Sequence, residues 1–121
     1  MANRSLKNSS ESENPSHSLN KLIVDTLDQN KAEDIVSINL IGKTSLADYM
    51  IIASGGSARH VSALADYVNK ALKEKGNIEV SIEGLAHSDW VLLDCGDIIV
   101  HIFRPEVRDF YALEKMWTAE I

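Results

Sequence analysis

Apolar residues first settle into a rhythm at Leu19. Leu19, Leu22, Ile23 and Leu27 fall on one face of a 3.6-residue period, and Ser18 stands where an N-cap belongs. The pattern predicts a helix over 18–30. The period then drops to two: Val36, Ile38 and Leu40 point one way, Ser37 and Asn39 the other, as in a half-buried strand. Gly42-Lys-Thr-Ser45 turns the chain. Tyr49-Met-Ile-Ile-Ala-Ser54 is apolar on both faces and reads as a central strand. Helical spacing returns with Val61, Leu64, Ala65, Val68, Ala71 and Leu72, a stripe that Ser57 caps at its start and Gly76 at its end. Ile78, Val80 and Ile82 alternate with Glu79, Ser81 and Glu83 as a half-exposed strand. Two apolar runs, from Trp90 to Leu93 and from Ile98 to Phe103, flank Asp94-Cys-Gly-Asp97 as a hairpin. Pro105 suits the first turn of a last helix, with Val107, Phe110, Leu113 and Trp117 on one side.

The order α-β-β-α-β-β-β-α predicts a single α/β (α+β) domain: a mixed sheet of about five strands flanked by helices. Residues 1–17 are polar and lack large apolar side chains in any rhythm. They read as a disordered tail ahead of a folded domain over 18–121. The tail has no apolar h-region, and Glu11 and Glu13 do not suit a transit peptide. No apolar run reaches the ~20 residues of a membrane span. A single cysteine, Cys95, fits a reducing compartment. A cytoplasmic protein with no membrane contact is the expectation.

Charge narrows the partners. Eighteen acidic residues against twelve Lys and Arg leave a net charge of −6. RNA binding draws on a basic face that releases counterions, and here the basic residues group only loosely, at Lys70, Lys73 and Lys75. Little direct nucleic-acid contact is expected. A basic protein is the better-matched partner.

Candidate chemistry is sparse. Ser54-Gly-Gly-Ser-Ala-Arg-His60 is a glycine-rich loop opening a helix, where free amides can hold an anion, aided by Arg59 and His60. A nucleotidyltransferase would use such a loop, but it also needs paired carboxylates for Mg²⁺. The next strand offers only Glu79 and Glu83. The plainer reading is a strand-to-helix turn whose glycines serve backbone geometry. Asp94 and Asp97 bracket a tight turn that favours Asp and Gly on its own account. His101 has no Cys or His at ligand spacing, and Cys95 has no activating base. No metal, cofactor or catalytic residue is expected. Trp90 is different. A tryptophan at a strand entrance either fills the core or anchors an interface, and the pattern leaves both open.

Several segments together carry a family resemblance. They are Ala47-Asp-Tyr-Met-Ile-Ile52, Ser57-Ala-Arg-His60, Ala65-Asp66, Glu83-Gly84, Asp89-Trp-Val-Leu-Leu-Asp-Cys-Gly-Asp97, Val100-His-Ile-Phe103 and Glu106-Val-Arg-Asp-Phe-Tyr-Ala-Leu-Glu-Lys-Met-Trp117. With them the chain resembles the ribosomal silencing factor (RsfS, or Iojap) family from about Leu19 to Trp117. The resemblance implies a nucleotidyltransferase-like fold without the catalytic acids. It implies a translation repressor rather than an enzyme. Such a factor binds the large ribosomal subunit through ribosomal protein L-fourteen, blocks joining of the small subunit when nutrients are short, and forms a homodimer when free. Trp90 is then the expected anchor, with Val91, Leu92, Asp94 and His101 supporting it and Arg59, His60 and Phe103 as weaker contacts. The alternative is a small nucleotidyltransferase-like enzyme using the Gly55-Gly56-Ser57 loop.

Overall fold

The computed structural model describes residues 15–76 and 78–111, with side chains through Arg108. Among the described residues, three helices, α1 (Pro15–Gln29), α2 (Ala58–Gly76) and α3 (Pro105–Tyr111), accompany five strands. The strands are β1 (Glu33–Asn39), β2 (Tyr49–Ser54), β3 (Ser81–Glu83), β4 (Trp90–Asp94) and β5 (Ile98–Phe103). They form one mixed sheet in the order β1-β2-β5-β4-β3. Only β2 and β5 run parallel; the other neighbours are antiparallel. The expected architecture and element order are those observed.

Strand alternation sends side chains to two faces, and the faces differ. The first is sealed by α1 and α2. Ile23, Leu27, Val61, Leu64, Val68 and Leu72 from the helices meet Ile51, Ala53, Val91, Leu93, Ile98, Val100 and Ile102 from the sheet. The second face gathers Ile38, Leu40, Ala47, Met50, Ile52 and Phe103, with Val36, Trp90, Ile99 and Val107 at its partly buried margin. All six residues of β2 are buried, which explains why that strand is apolar on both sides. Its ladder partners lie on both edges, so it also has no free backbone.

Three local expectations shift. Helix α1 begins at Pro15, three residues before the expected Ser18 cap. Pro15 suits a first helical turn, and Ser16 is buried with its Oγ–H donating to Asp48 Oδ2 at 2.7 Å. That tertiary bond is invisible to local periodicity. Gly76 does close α2, but its φ is not positive, so it is not a left-handed cap. The strand expected from Ile78 is only Ser81–Glu83. Ile78 and Val80 still pack against the core, so their alternation reports burial rather than pairing. Val107 lies in α3 as expected, whereas Phe110, Leu113 and Trp117 fall outside the described side chains.

Candidate partner-docking site

The β4–β5 hairpin fixes what lies on the second face. Its turn is held by Cys95 N–H donating to Ile98 O at 2.9 Å and by Gly96 N–H donating to Asp94 Oδ1 at 3.0 Å. Gly96 has φ +88, a conformation that suits glycine. This turn pairs Trp90 with Phe103 and Leu92 with His101. Trp90, Leu92 and Asp94 therefore share a row on β4, beside Ile99, His101 and Phe103 on β5.

Three rings meet there. Trp90 stacks on Phe103 with centroids 5.0 Å apart and planes 23° off parallel. His101 stacks on Phe103 at 5.9 Å and 18° and lies 5.8 Å from Trp90. The indole Nε1–H donates to His101 Nδ1 at 2.9 Å. Phe103 is fully buried and His101 is 7% exposed, while Trp90 remains half-buried. The sequence left Trp90 between core and anchor, and the structure seats one side of the ring on Phe103 while leaving part of it at the surface. Burial pushes the His101 pKa down to about 4, so the ring is neutral at physiological pH and able to accept from the indole.

The neighbourhood of Trp90 is braced. Arg104 N–H donates to Asp89 O at 3.0 Å, and Arg104 Nε pairs with Asp89 Oδ1 at 2.9 Å. Arg108 Nη1–H donates to buried Ser54 Oγ at 2.8 Å, tying α3 to the end of β2. Gly84, φ +94, lies so close to Trp90 O that a Cβ there would collide with it. Neither Ser54 nor Arg108 emerged as a site residue from sequence. Their contact spans 54 positions, and no local pattern encodes it.

The other expected contacts are distributed differently. Val91 points to the helix-covered face with no exposed surface, because adjacent residues of a strand face opposite ways. Arg59 and His60 sit at the start of α2, on that same helical side. Arg59 lines a groove with Ser62, Asp66, Asn69, Ile82 and Leu85. His60 is a structural link: its Nδ1 accepts from Gly56 N–H at 3.1 Å, and its Nε2 lies 3.0 Å from Asn30 O. Ser57 Oγ accepts from His60 N–H at 3.1 Å, as an N-cap should. Gly55 leaves no room for a Cβ against Val61. The glycine-rich loop is thus shaped by packing, and one of its amides is already used. Among the described residues, no three His, Cys, Asp or Glu side chains gather at metal-binding distance. Cys95 is buried, and burial with nearby Asp94 pushes its thiol up to about 12, far from a reactive thiolate.

The chain as a whole is similar to several known proteins. The chain is 55% identical over 97 residues to ribosomal silencing factor RsfS of Zymomonas mobilis, covering 80% of this chain and 73% of that one. It is 38% identical over 100 residues to the mouse protein "Mitochondrial assembly of ribosomal large subunit protein 1", covering 80% of this chain but 44% of that longer one. A crystal structure of a Chromobacterium violaceum protein superposes with a TM-score of 0.82 at 39% identity, covering 87% of this chain and 88% of that one. The family model described as "Ribosomal silencing factor during starvation" matches residues 13–120, and the chain belongs to that family.

Proposed function

We propose that this protein represses translation by docking on the large ribosomal subunit through ribosomal protein L-fourteen, and that it blocks small-subunit joining by its bulk. It acts in the cytoplasm, is a homodimer when free, and works without catalysis, metal or cofactor. Family membership supports the ribosomal setting, and the name of the mouse relative ties that protein to assembly of the large subunit. The net charge of −6 suits a basic ribosomal protein better than RNA. One observation carries the choice of anchor: Trp90 is a half-buried indole stacked on a buried ring and hydrogen-bonded in place. Leu92 and Asp94 flank it on the same row. His101 and Phe103 lie beneath it. Val91 and His60 serve the fold, and Arg59 lies away from this row, lining a groove on the helical side.

The test is sedimentation with separated subunits. The protein should travel with the large subunit and lower the yield of joined ribosomes. Trp90→Ala should weaken that binding by about 2 kcal/mol or more. A core indole would behave otherwise: the same change would lower folding stability by about 3–5 kcal/mol and leave the folded fraction binding normally. That second result would remove Trp90 from the interface.

A further inference from the structure

The Trp90 indole N–H does not depend on His101 to be satisfied. A half-buried indole N–H can be served by water at the rim. Nor does the stack on Phe103 explain the bond to His101. Stacking at 5.0 Å and 23° sets the plane of the indole, but a stack does not itself fix which edge carries the N–H. A ring turned over would point its N–H away from β5. An acceptor at one edge favours the orientation that presents the N–H to it, and His101 Nδ1 is such an acceptor at 2.9 Å. An indole N–H cannot accept, so the imidazole nitrogen facing it is unprotonated and Nε2 carries the hydrogen. The imidazole is itself held, stacked on Phe103 at 5.9 Å and 7% exposed. A side chain so enclosed offers a partner little surface of its own.

We infer that His101 is a positioning residue for docking: it accepts the Trp90 indole N–H, favours the orientation seen and so preorganises the anchor for a protein partner. The inference rests on the reading that Trp90 docks. An anchor already in one orientation loses less side-chain freedom on binding than one that must choose. The benefit therefore appears as affinity, with no contact between His101 and the partner.

The test uses His101→Phe, which keeps an aromatic ring on Phe103 and removes the acceptor, and His101→Asn, which returns an acceptor near the Nδ1 position. His101→Leu repeats the first arm should the larger ring be overpacked. In a Trp117→Phe background, Trp90 gives the one indole N–H signal in a ¹H–¹⁵N spectrum of the free protein. H101F should shift that signal and split or broaden it, and H101N should restore a single sharp resonance. H101F should weaken binding to the large subunit about threefold to tenfold, the worth of one hydrogen bond, and H101N should recover most of that loss. Added to Trp90→Ala, H101F should have no further effect. An unchanged indole signal in H101F overturns the inference. So does an H101F loss that persists undiminished beside Trp90→Ala, since His101 would then act through its own contact while Trp90 remained the anchor. If Trp90→Ala alone binds like the wild type, the docking reading itself fails, and positioning for docking fails with it.

Discussion

At the scale of single residues, two glycines with nearly the same φ separate conformational strain from collision. Gly96 has φ +88 and Gly84 has φ +94, both left-handed. Around Gly96 nothing lies within 4 Å of an added Cβ, whereas at Gly84 the Cβ would strike Trp90 O. Gly96→Ala should therefore lower stability by about 1–2 kcal/mol, the strain of an L-residue in that region. Gly84→Ala should add about 1–3 kcal/mol of overpacking to a similar strain. Denaturant midpoints would read the difference, and Trp90 fluorescence should move only in the Gly84 variant. His101 gives a second prediction. Its folded pKa is about 4 against an ordinary 6.5, so between those values the unfolded chain binds a proton that the folded chain refuses. Stability from this group is present above pH 6.5 and is lost as pH falls toward 4, by on the order of 3 kcal/mol. Melting curves across that window should be visibly flatter for His101→Asn. At this scale the sequence singled out Trp90 and His101 but not their bond. Residues eleven apart meet only once the hairpin register is fixed.

At the scale of elements, most of the fold was legible because each period matched one burial pattern. Strand β2 falls where its apolar run predicts, and both strands of the β4–β5 hairpin were recognisable from their runs and turn. The departures occur where long-range contacts decide. Helix α1 extends to Pro15 with Ser16 bonded to Asp48 and His17 Nδ1 3.2 Å from Tyr49 Oη. The β3 region alternates correctly but pairs only over three residues. His60 shows the same limit, for it reads as a loop side chain suited to an anion. The structure uses it to join the end of α1 to the loop opening α2, through Asn30 O and Gly56 N–H. Its role can be separated from docking. His60→Ala should lower stability by about 1–2 kcal/mol, consistent with two modest hydrogen bonds, while large-subunit affinity per folded molecule stays unchanged. A loss of affinity at constant stability would return His60 to the interface.

At the scale of the whole molecule, the two sheet faces differ in what covers them. Helices α1 and α2 seal one face, where the larger part of the core lies. The other face carries a smaller cluster, and half-buried Trp90 lies at its margin. A protein that docks by such a face and acts by bulk has a simple quantitative signature. It turns nothing over, so inhibition must follow occupancy. Inhibition of subunit joining should rise in proportion to the protein bound, reach completion near one copy per large subunit, and reverse on dilution. Raising the small-subunit concentration should increase the protein needed for half inhibition, because the two compete for one surface. Light scattering of joining mixtures, titrated at several small-subunit concentrations, measures both effects. Two outcomes would count against occlusion. A plateau of joined ribosomes at saturating protein would mean that both partners fit on the large subunit together. Full inhibition at a small fraction of one copy per subunit would mean a turnover step, for which the glycine-rich loop, with Gly56 N–H already bonded to His60, gives no support.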